Sequence, residues 1–179
     1  MPEIEIRPAV TPDLNTLVEI DHSCQTEYVW QMDRIFEVGQ LAVSFREIRL
    51  PHAIQVEYPH STDQILENWK NATAILLASL AGEPVGYISL KDRLDSRSVW
   101  VLDLAVSEHH RRQGIATALL LSAEDWATRR RLRRIVLEMQ SKNAAATRLA
   151  LKLGFEFCGY NDQFYANQDI ALFFSCLLR

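Results

Sequence analysis

The most constraining stretch of the sequence is residues 111–121, which read RRQGIATALLL. It follows residues 99–106, an apolar and β-branched segment that predicts a buried strand. From Ile115 onward, apolar residues recur at three- and four-residue spacing, which predicts an amphipathic helix. The sequence therefore predicts a strand that turns through a basic, glycine-containing loop into the first turn of a helix.

Such a loop is suited to holding phosphate. The first turn of a helix leaves backbone N–H groups without intrahelical acceptors, and the helix dipole places about half a positive charge there. Gly114 and the small Ala116 would let a pyrophosphate approach the backbone closely. We expect Arg111 and Arg112 to attract the phosphates, whereas the arginines within residues 129–134 are typical of a solvated helix end.

Length and composition favour one water-soluble globular domain over residues 1–179. The net charge of −4 gives no reason to expect nucleic acid, and there is no run of 18 apolar residues that predicts a membrane span. The first residues carry acids and lack an apolar core segment, which argues against a signal peptide. Three cysteines without a C-x-x-C pair suit a reducing cytoplasm and predict no metal site.

The rest of the chain alternates strand and helix patterns, which predicts an α/β fold with a mixed sheet. A break at Pro51 predicts two separate strands, residues 41–50 and 53–58. Residues 25–40 show large apolar side chains among polar ones without a clear period. Within them, Tyr28 and Trp30 either cover a core or line an acceptor cleft.

A second motif follows the predicted strand at residues 135–140. Residues 143–155 read NAAATRLALKLGF, and together with the R-x-x-G-x-A of residues 111–116 they resemble the GNAT (Gcn5-related N-acetyltransferase) superfamily. The resemblance implies a mixed, largely antiparallel central sheet flanked by helices. It also implies that residues 25–40 form variable helices over the substrate side, and that acetyl-CoA is the co-substrate.

The resemblance further implies which residues hold acetyl-CoA. In the family, the strand exit pairs with the cofactor, the loop and helix start bind its pyrophosphate, and an asparagine reaches its pantetheine arm. Asn143 is also simply a good helix N-cap. The implied cofactor-binding residues are Leu104, Ala105, Val106, Arg111, Arg112, Gln113, Gly114, Ile115, Ala116, Thr117, Asn143 and Ala146.

Two carboxylates interrupt otherwise apolar strands, Asp103 and Glu138. Burial would raise the pKa of either carboxyl toward a value useful for a general base. Glu138 matches the strand glutamate that serves as base in ribosomal-protein N-terminal acetyltransferases, another branch of the superfamily, so we favour Glu138. Asp103 is either the base or a structural partner for a loop N–H or an arginine.

The general acid does not come from the position that is usual in the family. Ala150 stands where many GNAT members have a tyrosine that protonates the departing thiolate. Either Tyr160 or Tyr165 serves instead, or water and direct protonation suffice. Tyr165 lies in the segment FYAN, which resembles the closing segment of streptothricin acetyltransferases. This closer resemblance covers the C-terminal half of the chain.

The sequence thus predicts an acetyl-CoA-dependent N-acetyltransferase that acts by direct attack of a primary amine. A small molecule such as a streptothricin-like antibiotic is the favoured acceptor, and an N-terminal or peptide amine is the alternative. Because Ala150 removes the usual acid, a non-catalytic acetyl-CoA-binding sensor also stays open. Dimers are common in the family, which raises a homodimer as a further expectation.

Overall fold

The computed structural model describes residues 3–179, which form a seven-stranded sheet, a separate two-stranded sheet and flanking helices. In chain order the elements are β1 (Ile4–Pro8), α1 (Thr11–Val18), β2 (Cys24–Glu37), β3 (Gln40–Val56), α2 (Thr62–Asn71), β4 (Ala74–Leu80), β5 (Glu83–Arg93), β6 (Ser98–Val106), α3 (Ile115–Arg129), β7 (Arg134–Gln140), α4 (Ala144–Lys152), β8 (Glu156–Asn161) and β9 (Ala171–Leu177). None of the helices in residues 3–179 is long and apolar enough to cross a membrane.

The large sheet has the strand order β1-β4-β5-β6-β7-β9-β8. Its neighbouring strands are antiparallel except for β6 and β7, which are parallel. A parallel pair needs a crossover, and α3 supplies it. The prediction of a mixed, largely antiparallel α/β sheet flanked by helices is confirmed.

Helix α3 lies on the sheet because one of its faces is apolar. Its buried residues are Ile115, Leu119, Leu120, Ala123 and Ala127. They join the main apolar core together with side chains from β4, β5, β6, β7 and β9. The helix start is therefore held at the end of β6.

Strands β6 and β7 pair over only part of their length. Their register runs from Ser98↔Arg134 to Val101↔Leu137 and stops there. Beyond that point β6 continues to Val106 on β5, and β7 continues to Gln140 on β9. The two strands therefore diverge and open a gap in the middle of the sheet.

The structure corrects the prediction for residues 25–58. Residues 25–40 do not form helices: β2 and β3 make one long antiparallel hairpin. Aromatic and β-branched side chains such as Val29 and Ile35 favour this extended backbone. Strand β3 also runs through Pro51. Its pairing with β2 shifts there, from Thr26↔Ile54 to Tyr28↔Arg49, which marks a β-bulge. Pro51 falls in the resulting bulge, where no ladder hydrogen bond requires its missing N–H.

Candidate active site

A cavity occupies the gap between β6 and β7. Residues 101–104 and 137–140 form its two walls, and Asn143 and Ala146 border it at the start of α4. Three further polar side chains also line it: Tyr58, His60 and Tyr165. The structure thus brings Asp103, Glu138 and Tyr165, the three catalytic candidates named from the sequence, into one cavity.

Asp103 is the centre of a hydrogen-bond network. Asp103 is only 2% exposed to solvent. Its carboxylate accepts hydrogen bonds from the Tyr58 hydroxyl, from Ser89 Oγ at 3.0 Å and from Asn68 Nδ2 at 3.2 Å. His60 Nδ1 lies 3.5 Å from Asp103 Oδ1. Burial alone raises the pKa of Asp103, but the hydrogen bonds from His60 and Tyr58 outweigh it and hold that pKa below its usual value.

Asp103 is therefore a carboxylate whose two oxygens are already occupied. Such a group orients its neighbours better than it accepts a further proton. Of the two roles that the sequence left open, the geometry favours the structural one. Its partners are a tyrosine, a histidine, a serine and an asparagine, not a loop N–H or an arginine.

Glu138 has a different environment in the same cavity. The Tyr165 hydroxyl donates to Glu138 Oε1 at 3.1 Å. Burial raises the pKa of Glu138, and the hydrogen bond from Tyr165, the largest opposing effect, offsets that rise only in part. A partly buried carboxylate with a raised pKa is suited to general-base catalysis near neutral pH.

Tyr165 is positioned by the loop between β8 and β9. The buried Asp169 anchors this loop: its carboxylate accepts hydrogen bonds from Gln140 Nε2 and Asn167 Nδ2, both at 3.0 Å, and pairs with Lys142. Burial and the neighbouring Glu138 carboxylate raise the pKa of Tyr165 well above its usual value. Tyr165 therefore keeps its proton and presents it to Glu138.

The loop before α3 has the geometry of an anion site. Arg112 and Gly114 adopt left-handed backbone angles, with φ of 64° and 86°. Within the described residues, the N–H groups of Ile115, Ala116 and Thr117 have no backbone acceptor. Exposed N–H groups beside left-handed residues form a concave, positively polarised surface for phosphate oxygens.

The other predicted cofactor residues lie between this loop and the cavity. Leu104, Ala105 and Val106 pair with β5 on one side only, because β7 has diverged on the other. Asn143 lines the cavity and is also the N-cap of α4, since its side chain accepts the Ala146 N–H at 3.0 Å.

Arg111 lies differently from the prediction. Its guanidinium donates from Nε to the Val106 carbonyl at 2.9 Å, and from the two terminal nitrogens to the carbonyls of Ser23 and Asp21, at 2.9 and 2.6 Å. Arg111 thus ties the segment between α1 and β2 to the end of β6. The side chain of Arg112 is exposed and remains a candidate for phosphate contact.

Tyr28 and Trp30 are not among the residues that line the cavity. Trp30 Nε1 donates to Thr147 Oγ1 at 3.0 Å, and the Arg148 guanidinium lies 4.3 Å from the centre of the Tyr28 ring. Both side chains attach the β2–β3 hairpin to α4, and Trp30 also packs against the main apolar core. Their role in acceptor binding stays a prediction.

Sequence reasoning missed two residues of the cavity, Tyr58 and His60. They flank Pro59, which in the sequence signals only a break between β3 and α2. Their contact with Asp103 spans more than forty positions of the chain, and no local pattern reports it.

The family of the chain follows from the comparison with known proteins. The model of the acetyltransferase (GNAT) family matches residues 42–155, which is more than half of the chain. The protein therefore belongs to the GNAT family and is an N-acetyltransferase.

Its relatives include streptothricin and nourseothricin acetyltransferases. It is 23% identical over 166 residues to the streptothricin acetyltransferase of Streptomyces lavendulae, a match that covers 90% of this chain and 86% of the relative. The structure of nourseothricin acetyltransferase superposes with a TM-score of 0.84 at 22% identity, covering 98% of this chain and 99% of that one.

A candidate streptothricin acetyltransferase from Bacillus anthracis in complex with acetyl coenzyme A superposes with a TM-score of 0.79 at 22% identity, with the same coverage of both chains. The predicted resemblance to the streptothricin branch is confirmed. It extends over most of the chain, beyond the C-terminal half in which the motifs lie.

The position of Arg111 leads to a stability prediction. Arg111→Gln removes charge-assisted hydrogen bonds to three carbonyls, and we expect it to lower the free energy of unfolding by about 2 kcal/mol in urea denaturation. The matched control is Arg112→Gln, whose side chain is exposed, with an expected change below about 0.5 kcal/mol. Equal loss in both variants would contradict the tie between Arg111 and the α1–β2 segment.

Proposed function

We propose that this acetyltransferase moves the acetyl group of acetyl-CoA to a primary amine of a small molecule, with a streptothricin-like antibiotic as the favoured acceptor. The observation that carries the proposal is Glu138, a partly buried carboxylate that is hydrogen-bonded to Tyr165 inside the cavity between β6 and β7. Similarity to the streptothricin acetyltransferase of Streptomyces lavendulae supports the choice of acceptor.

Two features of the structure suit two different parts of an acetyl-CoA molecule. The loop and first turn at residues 112–117 offer N–H groups and an exposed arginine to a pyrophosphate. The edge of β6 at residues 104–106 is unpaired toward the gap and can accept an extended pantetheine arm as a neighbouring strand would. When bound there, acetyl-CoA supplies an activated acetyl group as its thioester.

The charge of the cavity favours an amine acceptor. Its described lining contains the carboxylates Asp103 and Glu138 and no lysine or arginine, so the cavity attracts an ammonium group. An alkyl ammonium has a pKa of about 10 and must lose a proton before it can attack. Glu138, with its raised pKa, is placed to take up a proton from the acceptor nitrogen.

Direct attack agrees with the same lining. No cysteine, serine or threonine is among the described residues of the cavity, so none offers a thiol or aliphatic hydroxyl for a covalent acetyl intermediate. Ala150 is completely buried in the apolar core, and the hydroxyl group facing Glu138 comes from Tyr165. In this proposal, Tyr165 orients Glu138 and relays to the departing thiolate the proton that Glu138 has taken from the acceptor nitrogen, so that Tyr165 itself stays protonated.

The role of Glu138 is tested by Glu138→Gln. We expect kcat to fall by about 10²- to 10⁴-fold, because the amide cannot accept a proton, while acetyl-CoA affinity stays within about twofold. The assay is free-thiol release from acetyl-CoA with a panel of primary amines, with binding measured by calorimetry. Glu156→Gln, on the exposed surface of β8, is the matched control.

Two outcomes would contradict this assignment. Undiminished thiol release by Glu138→Gln would remove Glu138 from the chemistry. Tight acetyl-CoA binding by the unmodified protein without thiol release for any amine would favour the sensor function.

The phosphate loop is tested separately by Gly114→Glu. At this position a side chain places bulk and negative charge at the anion site, and we expect acetyl-CoA affinity to fall by at least about 100-fold. Gly39→Glu is the control, because Gly39 also has a positive φ (79° against 86°) and neither glycine has any atom within 4 Å of an added Cβ. If both variants bind acetyl-CoA like the unmodified protein, the anion site lies elsewhere.

A further inference from the structure

His60 is a titratable side chain of the cavity to which the proposed function assigns no role. It lies on the connection between β3 and α2, with its side chain 23% exposed beside the fully buried side chain of Asp103. Its ring is also held edge-on by Tyr58 and Tyr165, at centroid distances of 5.3 and 6.1 Å. His60 therefore bridges the Asp103 network and the Glu138–Tyr165 pair.

The contact with Asp103 selects one tautomer of His60. An ionised carboxylate can only accept hydrogen bonds, so the neutral imidazole that faces it carries its proton on Nδ1. The lone pair is then on Nε2, whereas the hydrogen-bond contact of the His60 ring with the described residues is made through Nδ1. A histidine whose Nδ1–H is oriented by an aspartate, with Nε2 turned elsewhere, has the arrangement of a general base.

The reaction requires two proton transfers away from the acceptor nitrogen, so a second proton acceptor is useful. Overall, an acceptor ammonium and acetyl-CoA give an N-acetyl amine, a thiol and a proton, so the nitrogen loses two protons. One proton ends on the sulfur of CoA and the other is released to water. The Glu138–Tyr165 pair can carry the proton that ends on the sulfur. The proton that is released to water requires a group with access to solvent.

Resting on the proposed function, we propose that His60, oriented by Asp103, takes a proton from the acceptor ammonium and passes it to solvent. In this step the N–H bond of the ammonium breaks and the Nε2 lone pair of His60 binds the proton. The neutral amine retains the electron pair that attacks the thioester. The imidazolium then loses its Nε2 proton to water on its exposed side.

The surroundings of His60 are compatible with this transient charge. The groups that face it are Asp103 from β6, Glu138 from β7, Tyr165 from the β8–β9 loop and Tyr58 from its own connection. Two of them are carboxyl groups and none is a cation, so no positive charge beside His60 opposes the arrival of a proton.

The tautomer is tested without any turnover. In ¹⁵N-labelled protein near pH 8, we expect His60 to show the Nδ1–H tautomer, and His60→Gln identifies its signal among the five histidines. Asp103→Asn should abolish the preference for that tautomer, because an amide can also donate a hydrogen bond to Nδ1. An Nε2–H tautomer in the unmodified protein would overturn the orientation on which the proposal depends.

The proton transfer is tested by the pH dependence of thiol release. At pH 7 we expect His60→Gln to lower kcat by about 10- to 100-fold, with the KM for acetyl-CoA within about twofold. The deficit should shrink toward pH 9.5, where more of the acceptor arrives as free amine. His52→Gln, at an exposed position of β3, is the matched control and should follow the unmodified protein.

The outcomes separate this proposal from the proposed function. If His60→Gln follows the unmodified protein at every pH while Glu138→Gln is impaired, His60 has no catalytic role and the proposed function stands. If the unmodified protein releases no thiol with any amine, the proposed function fails and the role of His60 fails with it. A deficit of His60→Gln that is the same at every pH would indicate damage to the cavity and would overturn the proton-transfer role.

Discussion

The site depends on the point at which β6 and β7 stop pairing, after Val101 and Leu137. A closed ladder would continue to the ends of both strands and leave no space within the sheet. Here the crossover helix α3 begins after the end of β6, and β7 pairs with β9 instead. The divergence therefore leaves a cavity between the two strands and an unpaired edge on β6. The start of α3 follows the end of that edge.

Within that cavity, environment separates two otherwise similar carboxylates. Asp103 accepts hydrogen bonds on both oxygens, and they hold its pKa down against the effect of burial. Glu138 has one strong donor, Tyr165, and burial holds its pKa up. One group is thus a fixed anion that orients its neighbours, and the other is placed to exchange protons.

Local sequence patterns predicted the parts of the fold that local physics determines. The β6–loop–α3 unit and the α4 segment were recognisable because strand composition, Gly114 and helical periodicity act over short stretches. The β2–β3 hairpin was not, because the bulge that accommodates Pro51 depends on its pairing with β2. The direction of Arg111 was also beyond local reasoning, since two of the carbonyls that it binds lie 88 and 90 positions away in the chain.

A crystal structure with acetyl-CoA bound would show most directly whether the cofactor follows the gap between β6 and β7. We expect the pyrophosphate on the N–H groups of residues 112–117, the pantetheine arm along residues 104–106 and the acetyl carbonyl in the cavity beside Glu138 and His60. A pyrophosphate bound away from the start of α3, or an acetyl group outside the cavity, would show that the gap is not the binding site.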